Sequence, residues 1–283
     1  MHGLRTVVDG LAFAEGPRWH EGALWFSDMH AGTVFRCDAT SGATEVVAEV
    51  ERLPSGLGWD PQGSLLVVSM IDRRLLRIGA DGDLEEVADL SSLATFHCND
   101  MVVDEQGRAY VGNFGFDFQS GETPIGAVLA RVDPDGTVSA AASDLMFPNG
   151  TVITPDGGTM IIGETFGARL TAFDISSNGS LSRRRVWAPM PAGAVPDGIC
   201  LDAEGAVWAA SPTSKDVIRL AEGGEVLDRV NTGRGVYACM LGGEDGRTLF
   251  VCTAVGTDPA VTMAARSGRI EAVEVDVPRA GRP

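Results

Sequence analysis

The segment MFPNGTVITPDGGTMIIGETFGARLTAFDI, Met146 to Ile175, holds two pairs that could each make a tight turn, Asn149-Gly150 and Asp156-Gly157. Asn or Asp before Gly is a favoured occupant of left-handed turn positions. Barely one strand's worth of chain separates the pairs, so one of them has another job. The rest of the chain shows which. A four-residue turn ending in Gly recurs as WHEG (19–22), DPQG (60–63), DEQG (104–107), TPDG (154–157), DAEG (202–205) and GEDG (243–246). A short apolar strand follows each one: ALWFSD, SLLVVS, RAYVGN, GTMIIGE, AVWAAS and RTLFVC. A second strand and a polar turn often come next, as in RLLRIGADG and AVLARVDPDG. The six turn glycines, Gly22, Gly63, Gly107, Gly157, Gly205 and Gly246, stand roughly 40–50 residues apart. That period, with about four strands per unit, marks a β-propeller. The sequence therefore predicts an all-β, six-bladed β-propeller, a single domain over residues 1–283. The run LRTVVDGL (4–11) precedes the first unit. It is expected to add an outer strand to the last blade, closing the ring and removing free sheet edges. No stretch carries a sustained helical period.

Asp156-Gly157 belongs to the repeat and Asn149-Gly150 does not. Counting back eight residues from the turn glycine, or seven in the first unit, gives Glu15, Ser55, Asn99, Asn149 and Asp197. In the last unit the same count falls on Tyr237 or Ala238. These residues open the innermost strand of each blade, which lines the central channel, so they form a ring. Four of them, Glu15, Asn99, Asn149 and Asp197, carry oxygen donors. Taken singly, FPNG and VPDG read as plain turns. Taken together they do not, because turns need not converge on one axis and Glu15 is no turn former. Two carboxylates and two amides facing one point would repel or stay unsatisfied without a cation. An oxygen-only set selects a hard divalent ion such as Ca²⁺, Mg²⁺ or Mn²⁺; Zn²⁺ more typically brings His or Cys.

Composition narrows the classes. Hydrophobic residues make up 44% of the 283, enough for a well-buried core, and the 36 glycines scattered among apolar runs suit many turns between many strands. The formal net charge of -17 argues against nucleic acid and anionic membrane as partners, since both need basic patches. The longest basic run, Arg183-Arg184-Arg185, reads as a solvated loop. No apolar run approaches the roughly 20 residues of a membrane span. The start, MHGLRTVVDGLAF, lacks the apolar core of a secretion signal, so a cytoplasmic location is expected. Five scattered cysteines, Cys37, Cys98, Cys200, Cys239 and Cys252, read as free, buried thiols. There is no G-x-S-x-G, H-E-x-x-H, Walker loop or dinucleotide fingerprint. His97-Cys98 is a poor dyad, since adjacent strand residues point to opposite faces. Trp25 and Trp208 share a phase in their blades and are expected between blades.

AEGPRW with Glu15, CNDMVVDEQGR with Asn99-Asp100, FPNGTVITPDG with Asn149 and PDGICLDAEG with Asp197 resemble the regucalcin/gluconolactonase/senescence-marker (SMP-30-like) family over nearly the whole chain. The resemblance implies a six-bladed propeller and, in many members, a metal-dependent lactonase. It implies Glu15, Asn149 and Asp197 as metal ligands, Asp197 also as general base, and Asn99 as a contact to substrate or to the water at the ion. Ca²⁺ stands first among the ions, with Mg²⁺, Mn²⁺, Zn²⁺ and Fe²⁺ as alternatives. Two departures bear on the substrate. Sugar-lactone members often carry Arg two residues before the Asn of ND; here the position is His97. A polar residue of the next inner loop, often acidic in those members, falls at Asp117, inside the aromatic GNFGFDF. His97, Asn99 and Asp117 are thus the expected substrate contacts. Phe114, Phe116 and Phe118 make this wall more apolar than a sugar pocket needs, unless they merely pack beneath a loop.

The expected reaction is hydrolysis of a small-molecule lactone or ester, with the ion polarising the carbonyl. Water would be delivered by Asp197 or from the ion, and His97 would orient the ring or protonate the leaving alkoxide. The alternatives are phosphotriester, ester or hydratase chemistry on the same site, or a non-catalytic propeller whose ion is a structural plug.

Overall fold

All six repeat glycines lie in the left-handed region, with φ between 70° and 84°. A side chain there would crowd the backbone, which is why the turn ends in Gly each time. Each turn joins the innermost strand of a blade to the second strand, and every blade becomes a four-stranded antiparallel sheet. The computed structural model describes residues 3–283 and is a six-bladed β-propeller. The inner strands are Ala14–His20, Pro54–Trp59, Cys98–Val103, Pro148–Ile153, Ile199–Leu201 and Gly235–Gly242. Each neighbours the next around the channel, and the sixth returns to the first.

The fourth blade contains the segment that opened the sequence reading. Its strands are Pro148–Ile153, Thr159–Glu164, Arg169–Ile175 and Leu181–Pro189. Asp156 makes the hairpin turn, accepting from Thr154 Oγ1 at 2.6 Å and from the Gly158 N–H at 2.9 Å. Asn149-Gly150 lies within the inner strand. Gly150 is needed there for proximity, because a Cβ on it would stand 2.4 Å from the Ile199 backbone nitrogen of the next blade. Gly16, Gly56 and Gly198 meet neighbouring backbone in the same way. The Gly after a ring residue lets the inner strands close on one another.

The last blade takes its outermost strand from the start of the chain, as expected. Arg5–Leu11 pairs antiparallel with Gly268–Glu274, with Arg5 opposite Ala272. At the other terminus, residues 278–282 run across the face where the repeat turns lie. Arg279 N donates to Gly246 O, Ala280 N to Leu201 O, and Arg282 exchanges both backbone bonds with Ile153. This tail ties blades four, five and six together.

Apolar side chains fill the seams between blades. Val152, Ile161 and Leu170 of blade four pack with Ile199, Val207 and Ile218 of blade five. Burying each such side chain is worth about 1.5–3 kcal/mol. Trp208 is buried among blades five and six, while Trp25 is half-buried, edge-on to Trp59 at 5.5 Å. All five cysteines are free and buried. Two expectations are corrected. The arginine triplet lies in the outer strand Leu181–Pro189, not in a loop. Arg183 and Arg185 pair with Asp174, and Arg184 reaches the fully buried Glu164. A short helix, Pro259–Ala265, capped by Asp258, rises between the second and third strands of blade six. Among the described residues, no helix is long and apolar enough to cross a membrane.

Candidate active site in the central channel

The ring residues stand where the inner strands begin. Glu15, Ser55, Asn99 and Asn149 are each the second residue of their strand, and Asp197 lies just before Ile199–Leu201. Asn99, Asn149 and Asp197 are nearly buried, and Glu15 keeps part of its surface open. All four line one cavity of about 570 Å³ at this end of the channel, together with His97. The structure thus gathers Glu15, His97, Asn99, Asn149 and Asp197. It does not bring Asp117 to the wall: this carboxylate accepts from the N–H groups of Gln119 and Ser120 at 3.0 and 3.1 Å, holding its own loop.

The electrostatics are those of an unbalanced acidic pair. Burial, aided by the charge of Asp100, raises the Glu15 carboxyl to about 8 against the opposing pull of the Gly16 N–H. Burial and then the charge of Glu15 push Asp197 well above the usual carboxylate range, with a hydrogen bond from Asn149 working the other way. A third carboxylate, Asp100, is ion-paired with Arg18. The Arg18 guanidinium donates to it at 2.5 Å and also holds Leu57 O and Met101 O. Among the described residues, neither Glu15 nor Asp197 forms an ion pair. The oxygen donors of Glu15, Asp197, Asn149 and Asn99 fit a hard divalent ion, which would relieve this repulsion. Among the described residues, no group of three or more His, Cys, Asp or Glu side chains is placed to hold a metal. The set is therefore two carboxylates completed by amides.

Neighbouring side chains hold the ring in place. Thr165 Oγ1 accepts from Asn149 Nδ2 at 3.2 Å and donates to Pro196 O at 2.9 Å, which fixes the asparagine. Ser55 Oγ donates to Asn99 Oδ1 at 3.2 Å. Tyr237, the ring residue of blade six, lines the cavity with its hydroxyl raised to about 12 by burial first and then by Asp197 and Glu15, so it stays protonated. Burial lowers His97 below the usual histidine range, which keeps it neutral near pH 7. Its neighbour Cys98 is buried under the blade and its thiol is raised to about 12, so it is no nucleophile.

The upper wall is aromatic. Phe114 stacks on Phe147 with centroids 4.3 Å apart, and Phe96 on His97 at 4.0 Å. Phe118 and Phe166 lean on Phe147, and Phe13 meets Tyr237 on the opposite side. Of the three phenylalanines in GNFGFDF, Phe114 and Phe118 face the cavity, whereas Phe116 is buried behind, edge-on to Phe166. Phe13, Phe147, Phe166, Thr165 and His30 were not singled out from the sequence. Their one signal is position, just before an inner strand or in the loop after a second strand.

Residues 13–255 match the family described as SMP-30/gluconolactonase/LRE-like region. The chain is 29% identical to a pentonolactonase of Haloferax volcanii over 89% of its own length and 85% of the relative's. It is 28% identical to a 6-deoxy-6-sulfogluconolactonase of Pseudomonas putida, over 95% and 93%. In fold it is similar to a calcium-binding protein, regucalcin, from Agrobacterium tumefaciens, with a TM-score of 0.83 at 22% identity, over 100% of this chain and 97% of that one. The ring residues, the six blades and the match across most of the chain lead to one conclusion: the protein belongs to the SMP-30/gluconolactonase family.

Proposed function

We propose that the protein is a metal-dependent lactonase, with Glu15, Asn149 and Asp197 holding one divalent ion on the propeller axis. The observation that carries this reading is the pair of buried carboxylates that form no ion pair among the described residues and open into a cavity large enough for a small molecule. The lactonase names of the two relatives support it. A purely structural ion would not need that cavity above it. Calcium is the ion we favour, on the all-oxygen donor set and on the name of the structural neighbour.

When bound, the ion supplies Lewis-acid polarisation of the lactone carbonyl and stabilises the charge that develops on its oxygen. The chain's own residues do the rest. Asn99 and Asn149 position the ester group over the floor of the cavity. Asp197, as a carboxylate, takes the proton of the attacking water. Water adds to the carbonyl carbon, and the ring C–O bond then breaks. His97, neutral and on the wall, orients the ring and hydrogen-bonds the departing alkoxide, which takes the proton that Asp197 received from water. The Tyr237 hydroxyl acts only as a hydrogen-bonding partner, because its proton is held too tightly to be released.

The test is hydrolysis of a panel of lactones, aryl esters and phosphotriesters by protein stripped with chelator and then reloaded with one ion at a time. The expected result is lactone opening that chelator abolishes and a divalent ion restores. Full activity in stripped protein would refute the metal role, and turnover confined to phosphotriesters would refute the lactonase role.

A further inference from the structure

The cavity's upper wall has no evident use for a sugar. No Lys or Arg is among the described residues that line it, so an anionic substituent has no counter-ion there. Three polar side chains of the wall are already engaged, one of them in part. Thr165 serves Asn149 and Pro196, Thr213 Oγ1 donates to Gly193 O at 2.8 Å, and His30 Nδ1 is bonded to Thr262 Oγ1 at 2.6 Å. A polyol would find His97, Gln119, Thr257, the Tyr237 hydroxyl and one nitrogen of His30. Its other hydroxyls would lose water without gaining a partner, which is unfavourable.

Two wall residues show that this apolar surface is built at a cost to the backbone. Leu53 and Phe147 stand at matching points before the inner strands of blades two and four, each followed by Pro. Both lie in the left-handed region, with φ of 64° and 61°. Bulky side chains rarely adopt that conformation, and Gly or Asn would do so more easily if only a turn were required. Both side chains line the cavity. Apolar groups continue outside it. Ile71, Ile125, Phe166, Val255, Val261 and Met263 are exposed, and all lie on loops or the short helix at this end of the propeller. The volume of about 570 Å³ falls within the range of pockets that enclose drug-sized ligands.

We infer that the substrate is a lactone bearing an uncharged alkyl or aryl substituent, which lies against the wall formed by Leu53, Phe96, Phe114, Phe118 and Phe147 while the ester group rests on the polar floor. This assignment rests on the lactonase reading. It separates the chain from relatives named for sugar and sulfo-sugar lactones.

The experiment compares kcat/KM for γ- and δ-lactones of increasing alkyl length, an aryl-fused lactone, glucono-δ-lactone and a sulfonated sugar lactone, all on metal-loaded protein. In parallel, calorimetry measures binding of an alkyl-substituted lactam and a polyhydroxylated lactam, neither of which needs turnover. We expect kcat/KM to rise with alkyl length and to exceed that for gluconolactone by at least about tenfold, the scale of a methylene or two in an apolar pocket. The alkyl lactam should bind more tightly than the hydroxylated one. Leu53→Asn suits the left-handed backbone and so should fold; it should lower kcat/KM more for the alkyl lactone than for gluconolactone. Phe114→Ala should do the same. A preference for sugar lactones, or tighter binding of the hydroxylated lactam, overturns the inference and leaves the lactonase reading intact. If no lactone is opened, that reading falls and the lactam comparison alone decides whether the wall selects apolar ligands.

Discussion

Arg18 of blade one and Asp100 of blade three are joined across the channel by a 2.5 Å ion pair, with both side chains nearly buried. The pair offsets one of three carboxylates near the axis, while Glu15 and Asp197 remain unpaired among the described residues and repel each other. Removing one partner of a buried pair strands the other charge. Arg18→Met should therefore lose about 3–5 kcal/mol of stability. Asp100→Leu in the same background should recover much of it. Urea unfolding of the two variants checks this, and equal stabilities would show that the pair's charges are of little account.

The acidic pair gives the metal-free protein an inverted pH response. Glu15 titrates near 8 in the fold against 4.5 ordinarily, and Asp197 is shifted in the same direction. Between those values the folded state binds more protons than the unfolded state, so stability falls as pH rises through the window. The melting temperature of chelator-treated protein should drop from about pH 5 to about pH 8. Saturating divalent ion should flatten the slope, and Glu15→Gln should flatten it without metal. A melting temperature that rises over this range in stripped protein would contradict the account.

Asp197 is given two tasks, holding the ion and taking the proton of water. Asp197→Asn keeps the shape and loses the basicity. As the base, its loss should lower turnover by roughly 10² or more at any metal concentration. Asn149→Ala should weaken metal affinity and recover rate at saturating ion. Titration of turnover against metal for both variants separates the roles, and complete rescue of Asp197→Asn would remove its role as base.

The two Gly pairs of the opening segment should respond to a methyl group to different degrees. A Cβ at Gly157 meets nothing within 4 Å, and only its φ of 70° opposes substitution. Gly157→Ala should cost about 1 kcal/mol. At Gly150 the same Cβ would stand 2.4 Å from Ile199 N and 2.7 Å from Asp197 O, both backbone atoms. Gly150→Ala should cost about 3 kcal/mol or more and weaken metal binding by displacing Asp197. Denaturation and metal titration of the two variants test the contrast.

The blade count and the polar ring were legible because the turn glycines and the ring residues keep a nearly constant offset, set by the length of one inner strand. The offset is one residue shorter in blade one, and in blade six the count falls on either Tyr237 or Ala238. Asp117 misled because its surroundings resembled a substrate loop, whereas an Asp side chain three residues before a Ser readily closes on its own backbone. The arginine triplet is solvated, as read, but it is strand and not loop, because charge hides strand alternation; Arg184's partner Glu164 lies in another strand. The aromatic wall was mostly invisible. Phe13, Phe96, Phe147 and Phe166 come from separate loops, and only the closed ring makes them neighbours.

The strand that completes blade six also sets the order in which the molecule can be made. Arg5–Leu11 is made before any other strand of the six blades, and its partner Gly268–Glu274 is made after all of them. Blades one to five can form as they are synthesised, since each uses only contiguous chain. Ring closure must wait, and until then two open sheet edges face solvent or a chaperone. Closing so long a loop adds little to its entropic cost, which grows only logarithmically, but it makes a slow last step. Circular permutation that joins residues 5–11 directly after Glu274 would let every blade fold from contiguous sequence, and should shorten the interval during which the nascent chain can aggregate.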